Sequence, residues 1–272
     1  TDSLNAEFRT PGGTLAATAG LPDIGTGRLA RAFTTGLATR RVASASALSD
    51  TFEGFSGRSV GGRLRDGGLS AAILLPQGGD DYGISLSTAL SEGSTRLDLG
   101  LKLARDQGAL LGLGTDAGAN DLFAVELALS QDLAGDGFLS LTGEVGLASL
   151  AGTGILSDVS TASFNSLGVE FGQRNLATRG DRLSFGARMP MAVTSGSATA
   201  VLPVTRAIGS TSYEPVAIDL APDARQVDLS ISYQRPIGDN LELMVELVHA
   251  ENLGNRAGAR DTAAVFGLSW SF

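Results

Sequence analysis

From about residue 69 onward the chain alternates apolar residues with small or polar ones, which sends the two kinds of side chain to opposite faces of an extended strand. Leu97, Leu99, Leu101 and Leu103 fall on one face, with Arg96, Asp98, Gly100 and Lys102 on the other. Phe123, Val125, Leu127 and Leu129 oppose Ala124, Glu126, Ala128 and Ser130, and Leu139, Leu141, Val145 and Leu147 oppose Ser140, Thr142, Glu144 and Gly146. The same split sets Leu167, Val169 and Phe171 against Gly168, Glu170 and Gly172, and Leu183, Phe185, Met189 and Met191 against Ser184, Gly186 and Arg188. Val227, Leu229, Ile231 and Tyr233 oppose Asp228, Ser230, Ser232 and Gln234; Leu241, Leu243, Val245 and Leu247 oppose Glu242, Met244 and Glu246. Turn signals at Gly78-Gly79-Asp80-Asp81, Ser91-Glu92-Gly93, Ala134-Gly135-Asp136-Gly137, Thr178-Arg179-Gly180-Asp181 and Pro236-Ile237-Gly238-Asp239 divide these runs into hairpins. About a dozen segments of about 8 to 12 residues result, long enough to cross a bilayer when tilted.

Two all-β architectures share this pattern. A soluble sandwich turns its apolar rows inward, whereas a membrane barrel turns them to lipid and its small or charged rows to the lumen. The polar rows decide in favour of the barrel. They carry Gly, Ala and Ser with scattered Glu and Arg, where a water-facing row would be rich in Lys, Glu and Thr, and small residues suit a narrow interior. The expectation is a closed antiparallel transmembrane β-barrel of about 12 strands over residues 51–272, with a soluble sandwich or jelly roll as the alternative.

The first part of the chain differs. Residues 26–48 hold Ala, Leu and Arg at helical spacing, with Thr26 as N-cap and Gly36 as a weak point, so residues 26–50 read as a helical linker or plug. The segment carries Arg28, Arg31, Arg40 and Arg41 and no acid, so its +4 leaves −13 on the remainder of a chain of net charge −9. Asp98, Glu126, Glu144, Glu170, Asp228, Glu242 and Glu246 fall on the expected lumen face. A basic helix beside acidic walls implies a plug held by charge pairs in a low-dielectric setting; a helix packed at the barrel edge is the alternative. Residues 1–25, with short strands about Leu4–Phe8 and Thr14–Ala19 around Pro11-Gly12-Gly13, read as the stub of a preceding region.

Composition narrows the function classes. A pI near 4.6 argues against nucleic acid, which needs clustered Lys and Arg. With no Cys, neither a disulfide framework nor a thiolate metal site is open to it. The chain starts at Thr1 without an apolar leader and reads as a mature protein or a fragment.

The last strand, DTAAVFGLSWSF, puts Phe266, Leu268, Trp270 and Phe272 on one face. Gly267, Trp270 and the terminal Phe272 resemble the C-terminal signal read by the outer-membrane barrel-assembly machinery, with Val265 standing where a polar residue is usual. A helix leading into such a barrel resembles the translocator domain of autotransporters over about residues 26–272. The stretches FRTPGGTLAATAG, VSTASFNSL, MAVTSG, IDLAPDARQVDLSISY and LVHAENLGNRAG resemble the C-terminal β-domain of subtilisin-like serine proteases of Gram-negative bacteria. The resemblance implies anchoring in the outer membrane, in contact with its lipid, and export of the chain's own N-terminal passenger. It also implies that any protease catalytic residues lie upstream of Thr1, so the segment itself is expected not to be an enzyme. One release route in the wider family uses an Asn that attacks its own backbone; there is no Asn between Asn5 and Asn120, so the helix lacks that chemistry.

Other chemistry finds less support in the residues. His249 is the single histidine, and alternation places it on the outer face beside a strand end, where an amphipathic ring suits a membrane interface better than a catalytic base would. An outer-membrane phospholipase would want Ser two residues later, where Glu251 stands. Asp80-Asp81 reads as a hairpin turn rather than a cation site, and Gly112, Gly114 and Gly118 lack the Lys and following helix of a phosphate loop. Glu144, Glu170 and Glu246 could approach one another as paired acids, but read better as lumen residues paired with Arg96, Lys102, Arg174 or Arg188. No metal or cofactor is expected. A passive channel or adhesin-like barrel, and a soluble all-β binding or assembly domain, are the competing functions.

Overall fold

The computed structural model describes residues 3–10, 13–20, 59–66, 69–76, 82–106, 120–149, 156–207, 210–238 and 241–270. The strands are β1 (Ser3–Thr10), β2 (Gly13–Gly20), β3 (Ser59–Asp66), β4 (Leu69–Pro76), β5 (Tyr82–Glu92), β6 (Thr95–Asp106), β7 (Asn120–Asp132) and β8 (Gly137–Ser149). They continue as β9 (Leu156–Ser157), β10 (Ala162–Arg174), β11 (Arg182–Ser195), β12 (Ser197–Ala207), β13 (Ser210–Asp219), β14 (Val227–Ile237), β15 (Leu241–Glu251) and β16 (Arg260–Trp270). One antiparallel sheet takes thirteen of them, in the order β1-β2-β3-β4-β5-β6-β7-β8-β10-β11-β14-β15-β16. Neighbours along the sheet are neighbours along the chain except where β9, β12 and β13 form a separate three-stranded sheet.

Three expectations are modified. The main sheet has thirteen strands rather than about 12, and among the described residues no pairing joins β1 to β16, so hydrogen bonds do not close it. The two short N-terminal strands are continuous with the sheet: β1 pairs β2, and β2 pairs β3 from Gly13↔Leu64 to Thr18↔Ser59. The helix expected over residues 26–50, with Arg28, Arg31, Arg40 and Arg41, lies outside the described residues, as do Asp80-Asp81, the 112–118 glycines and Phe272.

The two ends of the sheet differ. At one end the connections are the tight segments 11–12, 67–68, 93–94, 133–136, 175–181 and 238–240; at the other they are 21–58, 77–81, 107–119, 150–161, 196–226 and 252–259. Glycine makes the short ones possible. Gly93 at φ +58° and Gly180 at φ +87° occupy left-handed backbone that a Cβ disfavours. The 175–181 turn is also organised from within, because the buried Asp181 carboxylate accepts bonds from the amides of Leu176, Ala177 and Thr178 and from the Tyr233 hydroxyl.

The two faces differ more. On β6, Leu101 and Leu103 are 48% and 47% exposed, whereas Lys102 between them is 0% exposed. Phe123, Val125 and Leu127 on β7, Val145 and Leu147 on β8, and Val245 and Leu247 on β15 are open in the same way. The covered face holds Ser85, Ser87, Asp98, Glu126, Thr142, Glu144, Ser166, Ser184, Arg188, Asp228 and Glu246. A water-soluble fold has the reverse polarity.

Within the described part of the main sheet, alternation breaks where β10 meets β11. The β10–β11 register shifts at Ser163/Phe164 and at Asn165/Leu167, and on β11 the consecutive residues Ala192 and Val193 are both buried. Such bulges turn a side chain to the opposite face. Phe164 lies on the covered face with Ala104, Leu122, Ala124, Ala148, Ala162 and Val193, and Met191, expected in the outer row, packs against this cluster.

Candidate functional site

Register stacks the covered face into layers. Ser87, Gly100, Glu126, Glu144 and Ser166 lie opposite one another in turn across β5, β6, β7, β8 and β10. The layer towards the long connections is apolar, from Ala104 through Leu122 and Ala148 to Ala162. The next layer starts towards the short turns at Asp98, Ala128 and Thr142 and, because the strands are staggered, passes through Gly168 and Arg188 to Asp228 and Ala250 beside the long connections.

Glu126 and Glu144, one turn of the pleat above Thr142, are direct cross-strand partners, an arrangement that by itself is repulsive. Lys102 resolves it. Its Nζ lies 2.8 Å from Glu126 Oε2 and 3.3 Å from Glu144 Oε2, and the three residues are 0%, 1% and 2% exposed. Small neighbours make the room: a Cβ at Gly100 would stand 3.2 Å from Glu126 Oε2 and 3.3 Å from its Cβ, so a larger residue there would push the glutamate aside by a few tenths of an ångström.

The same device seats two inward aromatic rings. Phe164 lies opposite Gly146 and Phe138 opposite Gly172, and a Cβ on either glycine would run into the facing ring and into backbone oxygen of Phe123 or Leu183. Arg182 and Arg174 sit 4.1 Å and 5.0 Å from the Phe138 ring centre, adding cation–π attraction near the short turns.

The other expected acids are distributed along the sheet. Asp98 receives a bidentate Arg96 at 2.8 and 2.7 Å, Glu170 pairs with Arg182 at 2.9 Å, and Asp228 with Arg188 at 3.6 Å. Glu246 is buried opposite Ser232, and Glu242 stands opposite Pro236 and Ser269. Of the cations expected to pair with Glu144, Glu170 or Glu246, Lys102 takes Glu144, whereas Arg96 takes Asp98, Arg188 takes Asp228 and Arg174 turns to Asp132 beside the 133–136 hairpin at 2.7 Å; Glu170 is held instead by Arg182. Glu144, Glu170 and Glu246 do not form one cluster; Glu144's acidic neighbour is Glu126, which strand pairing alone decides.

Of the residues expected to form an assembly signal, Gly267 stands opposite Met244 and Trp270 opposite Leu241, at the short-turn end. Sequence reasoning missed Arg225. Its guanidinium bonds Asn165 Oδ1 and the carbonyls of Asn165 and Pro190, tying the connection before β14 to the bulged part of β10 and β11, and no periodicity announces such a tie. Among the described residues no group of His, Cys, Asp or Glu is placed to hold a metal ion. Neither a family model, nor a curated protein, nor a solved structure matches the chain.

Proposed function

We propose that the chain is an outer-membrane β-barrel of the autotransporter-translocator type, which anchors in the lipid bilayer and assists export of an N-terminal passenger, in keeping with its resemblance to the β-domain of Gram-negative subtilisin-like proteases. One observation carries the reading: long leucine-rich rows stand open while a lysine and a row of carboxylates are covered. In water, contiguous apolar surface of this extent drives association, whereas in hydrocarbon it is the face a spanning strand must present. The unequal ends agree, since barrels of this kind have short periplasmic turns and longer outer loops. The short turns and Trp270 then face the periplasm. In this reading the sheet curls until its edges meet, and the segment with Arg28, Arg31, Arg40 and Arg41 threads the lumen against the acidic layers. The role itself breaks no bond.

The test is insertion. The full chain should float with lipid vesicles, resist carbonate extraction and require detergent for purification; a monodisperse detergent-free preparation refutes the reading. The competing passive channel is separated by current. Planar-bilayer conductance should rise when residues 26–48 are deleted, which keeps β1 and β2 in the sheet, and unchanged current removes the plug.

A further inference from the structure

The outer face of β15 and β16 ends, towards the long connections, in a square of four polar side chains above the apolar rows. Register sets His249 opposite Thr262 and Glu251 opposite Arg260. His249 Nδ1 is 2.8 Å from Thr262 Oγ1, its Nε2 is 3.3 Å from Glu251 Oε1, and Arg260 Nε is 2.7 Å from Glu251 Oε2. Below them on the same face lie Val245, Leu247 and Phe266. The His249 side chain is 40% exposed, so the square is open to whatever surrounds the strand ends.

This is the connectivity an activated nucleophile needs: a hydroxyl bonded to a base that is held in turn by a carboxylate. With the ring proton on Nε2 and donated to Glu251, Nδ1 is left as the acceptor for the Thr262 proton. Position supplies the substrate class. A tilted strand of this length spans an apolar band about 25 Å tall, so its polar end stands where acyl tails meet their headgroups, at the depth of the ester bonds.

We propose that Thr262, His249 and Glu251 form an acyl-transfer site that hydrolyses carboxylic esters of membrane lipids; only this choice of substrate rests on the outer-membrane reading. Thr262 Oγ attacks the ester carbonyl carbon as its proton passes to His249 Nδ1, and the oxyanion forms beside the Arg260 guanidinium. Collapse breaks the acyl C–O bond, and the departing headgroup oxygen takes the proton from His249 and leaves as an alcohol. Water then gives its proton to the same nitrogen and attacks the acyl-Thr262 carbon, which frees the fatty acid and returns the proton to Thr262.

Full-length chain refolded in detergent is assayed against p-nitrophenyl butyrate, phosphatidylethanolamine mixed micelles and lipopolysaccharide, with heat-dependent gel mobility confirming folding of each variant. Ester hydrolysis is expected, and T262V and H249N should lower it by at least about 100-fold while T262S preserves it. Whichever lipid releases acid identifies the source of the ester. Folded protein that hydrolyses none of the three, lipid binding without release, or equal turnover by T262V overturns the site. Flotation is scored separately: a chain that floats but does not hydrolyse sinks the site alone, whereas hydrolysis of butyrate by a chain that does not float upholds the chemistry and removes the lipid substrate.

Discussion

Replacing Lys102 with Met tests whether the covered face is held by charge. The side chain keeps its apolar stem and loses its ammonium, leaving Glu126 and Glu144 facing each other across β7 and β8. At an effective dielectric of about 20, contacts at 2.8 and 3.3 Å are each attractions of about 5–6 kcal/mol, and two carboxylates about 5 Å apart repel by about 3 kcal/mol. Against this, the desolvation of Lys102, several kcal/mol, is no longer incurred, so the net loss should match the about 3–5 kcal/mol found when one partner of a buried pair is removed. Urea unfolding in detergent micelles, followed by circular dichroism in the strand band, reads the loss as a lower midpoint. Adding Glu126→Gln and Glu144→Gln to Lys102→Met should restore most of it, because no uncompensated charge remains. A midpoint for Lys102→Met within about 0.5 kcal/mol of the parent would show that this cluster is solvated and that the reasoning about a covered face is wrong.

Three further outcomes are expected. Gly146→Ala should hinder folding, since the new methyl meets the Phe164 ring and the Phe123 carbonyl; pairing it with Phe164→Leu should recover part of the folded fraction on heat-modifiability gels, and a fully folded single variant contradicts the packing. Phe272→Ser should reduce the amount of chain recovered in outer membranes, and normal recovery would contradict the assembly-signal reading. At Asp181, burial pushes the carboxyl up, and the Thr178 and Ala177 amides, the Tyr233 hydroxyl and the Leu176 amide more than offset it, so its pKa lies below the usual carboxylate range. Its contribution is therefore complete above the ordinary Asp value and disappears as pH falls through the lowered one, so amide protection factors at 176–178 should decline in that acid window and be low at neutral pH in Asp181→Asn; equal protection in that variant refutes the turn account.

Periodicity of two made much of the fold legible. It placed Leu101, Leu103, Val125 and Leu147 on one face and Lys102, Glu126 and Glu144 on the other, and the glycine turns at 93, 135 and 180 marked the hairpins. Alternation is a local property, fixed by strand geometry alone. Where a bulge adds a residue the rule has no warning, and so Met191 packs beside Phe164 on the covered side rather than in the outer row that its spacing implies.

What the sequence by itself determined is therefore which side chains share a face and where the strands turn, because both follow from the backbone of a few consecutive residues. Only the tertiary structure decided which residues meet. Glu126 faces Glu144 rather than Glu170, Lys102 serves both, Arg174 goes to Asp132, and His249 joins Thr262 through strand register, which relates residues on different strands. A shift of one residue in that pairing would keep the sequence pattern of each strand and break every one of these contacts.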